Sequence, residues 1–222
     1  MSNPGIARKE DCMILVGQYD SPFVRRVAIS LHKLDLPFER DTRSVFADAA
    51  AMRRVNPLGR IPSLVLDDGE VLIDSAAILD HIDQVVGPDR ALLPPAGAAR
   101  RQALRISALG AGAVDKAGAI AYERMLRPAD KIHQPWLDRC AEQLASALDA
   151  LETLEPAPWL LGSRLMQPDI MVGAMLGYLK LRVPDAFPTG RYPALERFSD
   201  RCESEAAFQK ARPAADEVMP SG

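Results

Sequence analysis

The apolar positions of this 222-residue chain follow two different rhythms. Up to about Val86, short apolar runs alternate with stretches at the helical period; beyond Gly97 the helical period holds almost throughout. Met13–Val16 reads as a short buried strand. Phe23, Val27, Leu31 and Leu34 recur at helical spacing and predict a helix over Pro22–Leu34 with one buried face. Ser21 stands where an N-cap belongs, and Pro22 where the first helical residue belongs. Phe38–Thr42 reads as a second strand, and the Ala-rich Phe46–Val55 as a short helix stopped by Pro57. Ser63–Leu66 and Val71–Ile73 flank Asp67-Asp68-Gly69-Glu70, a strong hairpin signal. Ser75 is expected to cap a helix running to about Val86, with Ile78, Leu79, Ile82 and Val85/Val86 inward. The order β-α-β-α-β-β-α predicts a mixed four-stranded sheet with helices packed against it.

The second half predicts helices only. Arg100–Arg127 reads as one long helix or a bent one, in which Gly110, Gly112 and Gly118 cost propensity and permit close packing. Pro135 opens the next, whose stripe runs through Leu137, Cys140, Leu144, Ala147, Leu151 and Leu154. Asp169–Arg182, begun by Pro168, is apolar enough to lie at the centre of a bundle. Ala194–Glu203 is the last firm helix, and the chain beyond Arg212 reads as a frayed tail. The expected organisation is a leader over 1–11, an α/β domain over 12–86, a Pro/Gly-rich linker over 87–97 and an all-helical domain over 98–222.

Composition narrows the function classes. A net charge of −3 argues against nucleic acid or an anionic membrane as partner. No apolar run approaches the length that spans a bilayer, and the first eleven residues lack a signal-peptide core. Cys12, Cys140 and Cys202 are dispersed, which suits reduced thiols in a cytoplasm. His32, His81 and His133 have no metal-ligand spacing, so no metal is expected.

The chemistry concentrates at Ser21. Its hydroxyl has two readings: an ordinary N-cap, or a donor to an anion drawn by the free N–H groups of the helix start. Three motifs bear on the choice. Ser21-Pro22-Phe23-Val24-Arg25-Arg26-Val27 resembles the Ser-Pro-Phe signature of the tau class of cytosolic glutathione transferases. Asn56-Pro57-Leu58-Gly59-Arg60-Ile61-Pro62 and Asp74-Ser75-Ala76-Ala77-Ile78 resemble two further segments of that family, in the same order and at the right separations. The resemblance covers roughly Met13–Arg212, and its helical half is similar to the bacterial YibF-like branch.

The resemblance implies a thioredoxin-like first domain followed by a helical bundle. It implies a cis bond before Pro62, with the main chain of Ile61 facing the γ-glutamyl tripeptide glutathione as an added strand would. Ser75 is then expected to hold the γ-glutamyl carboxylate at a helix N-terminus, Asp74 to face its ammonium, Arg60 to meet the glycyl carboxylate, and Phe23 to border the site. Ser21 is the expected catalytic residue, stabilising glutathione as a thiolate that adds to an electrophilic second substrate. A serine there cannot form a mixed disulfide, which disfavours thiol-transferase chemistry. Tyr19 is a rival hydroxyl donor, more in keeping with a wall of the second-substrate pocket, and Asp115 on the long helix is a candidate near a ligand ammonium. The family pattern places a Ser or Thr cap three residues before Asp169; Met166 stands there, so Asp169 is expected to lack its reciprocal partner. Family habit implies a cytoplasmic homodimer with a role in detoxification. A glutathione-dependent isomerase, dehalogenase or peroxidase shares the thiolate step, and a non-catalytic protein-interaction module shares the scaffold without it.

Overall fold

The computed structural model describes residues 12–217; the expected leader lies outside them. Two compact units are present among the described residues, one made of 12–92 and 206–217, the other of 93–205.

The first unit is built on a four-stranded sheet of order β2-β1-β3-β4. β1 (Met13–Val16) pairs parallel with β2 (Phe38–Asp41) and antiparallel with β3 (Ser63–Val65), which pairs antiparallel with β4 (Val71–Ile73). β1 is central, and its Ile14, Leu15 and Val16 are buried. Side chains alternate across a strand, so Ile14 and Val16 share one face. They pack there with Val65 and with Met52 and Val55 of α2 (Ala49–Val55). α1 (Pro22–Lys33) and α3 (Ser75–Val86) pack against each other and bury Val24, Val27, Leu31, Ile78 and Ile82, whereas Val85, expected inward, is exposed in the last turn of α3.

Two starts differ from the pattern-based expectation. α2 begins at Ala49 rather than Phe46. Ser44 Oγ accepts from the N–H groups of Phe46 and Ala47, and Asp48 Oδ2 accepts from Ser44 N–H at 3.0 Å, so residues 44–48 close into a turn. The cap of α3 is Asp74, not Ser75: the Asp74 carboxylate accepts from Ala76 N–H at 2.7 Å, and Ser75 becomes the first helical residue.

The last described segment does not fray. Helix α8 (Ala206–Lys210) follows α7 (Pro193–Ser204) but belongs to the first unit, where it packs on α1. Phe208 is fully buried beneath the Arg25 guanidinium, and Arg25 Nε donates to Ala211 O at 3.0 Å. Glu217, in a final 3-10 turn, pairs with Arg40 of β2. These contacts join residues 177 or more apart in sequence, so local pattern carries no sign of them.

The second unit packs α4 (Gly97–Leu126) against α5 (Gln134–Glu152) and α6 (Gln167–Arg182). α6 is buried on nearly every side, as its apolar sequence predicts. At Gly110 of α4 an added Cβ would stand 3.0 Å from Met171 of α6, so that glycine permits the close approach; at Gly112 it would meet nothing. Asp169 does find partners. Its carboxylate accepts from Met166 N–H at 2.8 Å and from Leu160 N–H at 2.7 Å. The Asp169 side of the capping box therefore survives Met166, because that bond needs only the main chain of the cap residue.

Candidate functional site

A cleft in the first unit gathers residues from three separate stretches. Phe23 comes from the first turn of α1, Asn56, Leu58 and Arg60 from the loop after α2, and Ile61 and Pro62 from the approach to β3. Ile73, Asp74 and Ser75 come from the β4–α3 junction. Six residues singled out from the sequence thus line one cleft: Phe23, Arg60, Ile61, Pro62, Asp74 and Ser75. The Ile61-Pro62 bond is cis.

Asn56 organises one wall. It is buried, and its Nδ2 donates to Arg60 O at 2.8 Å while its Oδ1 accepts from Leu58 N–H at 3.0 Å. Gly59 N–H closes on Asn56 O at 2.8 Å. The loop is folded around this side chain, which delivers Ile61 and Pro62 to the cleft. Asn56 stands in the sequence as the first residue of the Asn-Pro segment, with no role of its own evident from spacing. The signal available was the Asn-Pro pair, since Asn side chains bond readily to main chain two residues on.

The opposite wall carries charge. Asp74 has a left-handed backbone, φ 72° and ψ 130°, and its exposed carboxylate caps α3. Arg26 of α1 is buried. Burial pulls the Arg26 guanidinium down to about 10, and the Asp74 carboxylate offsets part of that pull. Arg26 is still charged at neutral pH, so Asp74 and this buried cation balance one another near the Ser75 helix start.

Ser21 caps α1, two residues before Phe23, and is half-buried. Among the described residues, the lining of the cleft does not include it. Its Oγ accepts from Val24 N–H at 3.5 Å, the outer limit of a hydrogen bond. Accepting there leaves the hydroxyl proton available to a further acceptor.

Tyr19 does not line the cleft either. It is buried at 2% exposure, its ring lies under the Arg40 guanidinium at 3.5 Å, and its hydroxyl has no hydrogen-bond partner among the described residues. Burial raises its pKa, against the pull of Arg40. Asp115 is exposed on α4, in the second unit. Cys140 and Cys202 are buried core residues, and Cys12 is half-buried. Among the described residues, no cluster of three His, Cys, Asp or Glu side chains is placed to hold a metal ion, and no helix is long and apolar enough to cross a membrane.

A four-stranded thioredoxin-like unit with a cleft at its β4–α3 junction, joined to a unit of helices, defines a class of two-part proteins. The glutathione S-transferase N-terminal domain profile matches residues 15–89, and the C-terminal domain profile of the same family matches residues 134–201. An uncharacterised GST-like protein of Escherichia coli K12, YibF, is 30% identical over 90% of this chain and 98% of its own length. A glutathione S-transferase of Methylobacterium radiotolerans, solved with glutathione sulfonate, superposes with a TM-score of 0.86 at 31% identity, covering 95% of this chain and 99% of the other. A glutathione transferase family member of Pseudomonas fluorescens Pf-5, solved with bound glutathione, gives a TM-score of 0.82 at 34% identity, covering 91% of this chain and all of the other. This chain belongs to the glutathione S-transferase family.

Proposed function

We propose that this chain is a glutathione transferase: it binds glutathione in the cleft of its first unit, holds the thiol as a thiolate, and presents it to an electrophilic second substrate. The observation that carries the reading is the convergence of Ile61-Pro62, Asp74-Ser75 and Arg60 on one cleft, beside the helix that Ser21 caps. Main chain at Ile61 suits the peptide portion of the ligand. Ser75, at the start of α3, suits a carboxylate, because helix-start N–H groups are unsatisfied and the dipole favours negative charge. Asp74 suits the ammonium of the same residue, and exposed Arg60 suits the far carboxylate.

Thiol activation asks little energy of the protein. A free thiol has a pKa near about 8.5, so about 3% is thiolate at pH 7. Lowering that pKa by about two units takes about 2.7 kcal/mol of preferential thiolate stabilisation. One hydroxyl donor to an anion contributes about 1.5–3 kcal/mol, and a helix start about 0.3–1 kcal/mol. Ser21 at the head of α1 supplies both. Electrons then flow from the thiolate sulfur to the electrophilic carbon of the second substrate, with loss of its leaving group or protonation of the adduct.

Family membership also supports a homodimer acting in the cytoplasm, the dimer being open to light scattering on the purified chain. Retention on immobilised glutathione, followed by assays with aryl halides, hydroperoxides and disulfides, tests the activity. Conjugation of an aryl halide is expected. Failure to retain glutathione at all would leave a protein-interaction module as the better reading.

A further inference from the structure

Tyr19 stands two residues before Ser21, in the loop between β1 and α1. That loop is held by main chain at its ends: Gly17 N–H donates to Asp41 O at 2.8 Å, and Ser21 N–H donates to Gln18 O at 3.2 Å. Between those ends the Tyr19 ring is buried, with the Arg40 guanidinium 3.5 Å from its centroid. Arg40 in turn donates from Nη2 to Oε1 of Glu217. The second oxygen of Glu217 accepts from Ala214 N–H at 3.1 Å, and Glu217 is itself buried. A ring, a guanidinium and a carboxylate thus join the chain's last described turn to the loop that carries Ser21.

The parts fit a clamp on the ring. The Tyr19 hydroxyl has no hydrogen-bond partner among the described residues, so the ring face is what is held. A partly desolvated guanidinium is attracted to a ring face, and a buried carboxylate fixes the guanidinium's plane. An active hydroxyl has to stand within about 0.5 Å of its working position, which neighbours must enforce. Among the described residues, the Ser21 hydroxyl has only a long bond from Val24 N–H to orient it.

We propose that Arg40, braced by Glu217, is a positioning residue for thiol activation: it clamps the Tyr19 ring and so sets where the Ser21 hydroxyl stands. This rests on the reading of Ser21 as donor to the thiolate. The segment 206–217 then serves the reaction without touching glutathione.

The test uses the full-length protein with glutathione as probe. The pKa of the bound thiol is read from thiolate ultraviolet absorbance, and affinity from calorimetry at a pH where the bound thiol is protonated. Arg40→Met and Glu217→Gln are expected to raise the bound thiol's pKa by about half to one unit, lowering the thiolate fraction at pH 7 by about 1.5- to threefold. Affinity for the protonated form should stay within about twofold, since only the thiolate form loses a partner. In a Ser21→Ala background the same substitutions should add nothing, the mark of action through Ser21. Tyr19→Leu should match Arg40→Met, and Tyr19→Phe should restore the native pKa. A native thiol pKa in Arg40→Met and Glu217→Gln, alongside a raised one in Ser21→Ala, overturns the clamp and leaves the Ser21 reading standing. An equal rise in the Ser21→Ala background also overturns it, because Arg40 would then act through its own charge. A native pKa in Ser21→Ala itself removes the Ser21 reading, and the clamp with it. Should Arg40→Met fail to fold, the isosteric Glu217→Gln carries every comparison.

Discussion

The side-chain amide of Asn56 donates to the main-chain oxygen of Arg60 at 2.8 Å, and through this bond a residue at the end of α2 shapes the wall of a cleft formed largely by other segments. Replacing Asn56 by Ala deletes that bond and the one from Leu58 N–H. Both lost partners are main-chain groups near a buried side chain, at about 1–1.5 kcal/mol each. Asn56→Ala should therefore lose about 2–3 kcal/mol in urea unfolding and bind glutathione at least about tenfold more weakly. Native affinity in a folded Asn56→Ala protein would show that the loop does not depend on it.

Ser21→Ala separates binding from activation. Loss of one hydrogen bond to a charged sulfur should lower kcat/KM for conjugation by about ten- to a hundredfold. Affinity for glutathione measured with its thiol protonated should change little. The stability cost should sit near the low end for an N-cap, about 0.5 kcal/mol, because the native cap bond is 3.5 Å long. Undiminished turnover in this variant would return the donor role to Tyr19.

Gly17→Ala should damage fold and site together. Gly17 has φ 134°, which side chains other than glycine's rarely adopt. An added Cβ would also stand 2.6 Å from Val24 Cγ2 and 3.0 Å from Ile61 Cβ. The expected loss is about 2–3 kcal/mol in thermal or urea unfolding. Because Ile61 lines the cleft, glutathione affinity should fall in parallel. A stable variant with native affinity would mean that the loop relaxes without cost.

Asp169 should give stability a distinctive pH dependence. Burial pushes its carboxyl up to about 6, against the pull of the Leu160 and Met166 N–H groups. The native state then holds this proton more tightly than the unfolded chain, whose carboxyl titrates near 3.8. The contribution is fully present below pH 3.8 and is lost as pH rises to about 6, a change of about 3 kcal/mol. Asp169→Asn has nothing to titrate there. The native protein's unfolding free energy minus that of Asp169→Asn should therefore fall across that window and level off above it. A pH-independent difference would place the Asp169 pKa at its ordinary value.

Much of this molecule is legible in the order of its residues. Short apolar runs and period-3.6 stretches set out the strands and the main helices, because a strand covered on both faces is apolar throughout and a helix that buries one face repeats at its turn. Ser21-Pro22 marked a helix start, and the Asp-Gly between two apolar runs marked the β3–β4 hairpin, since these depend on a few adjacent residues. Phe23, Arg60, Ile61, Pro62, Asp74 and Ser75 are legible as a set only because their motifs resemble family segments at the right separations, and the cleft gathers all six. Asp74's role as cap, the partners of Asp169 and the work of Asn56 came only with coordinates. Each rests on which of several nearby main-chain N–H or C=O groups comes within 3 Å, and that distance is settled by packing rather than by spacing. The docking of 206–217 against α1 and β2 was hidden most completely. Phe208 meets Arg25, and Glu217 meets Arg40, only after the chain has crossed a second unit and returned, and no local pattern records which distant surface will receive an apolar ring or a buried carboxylate.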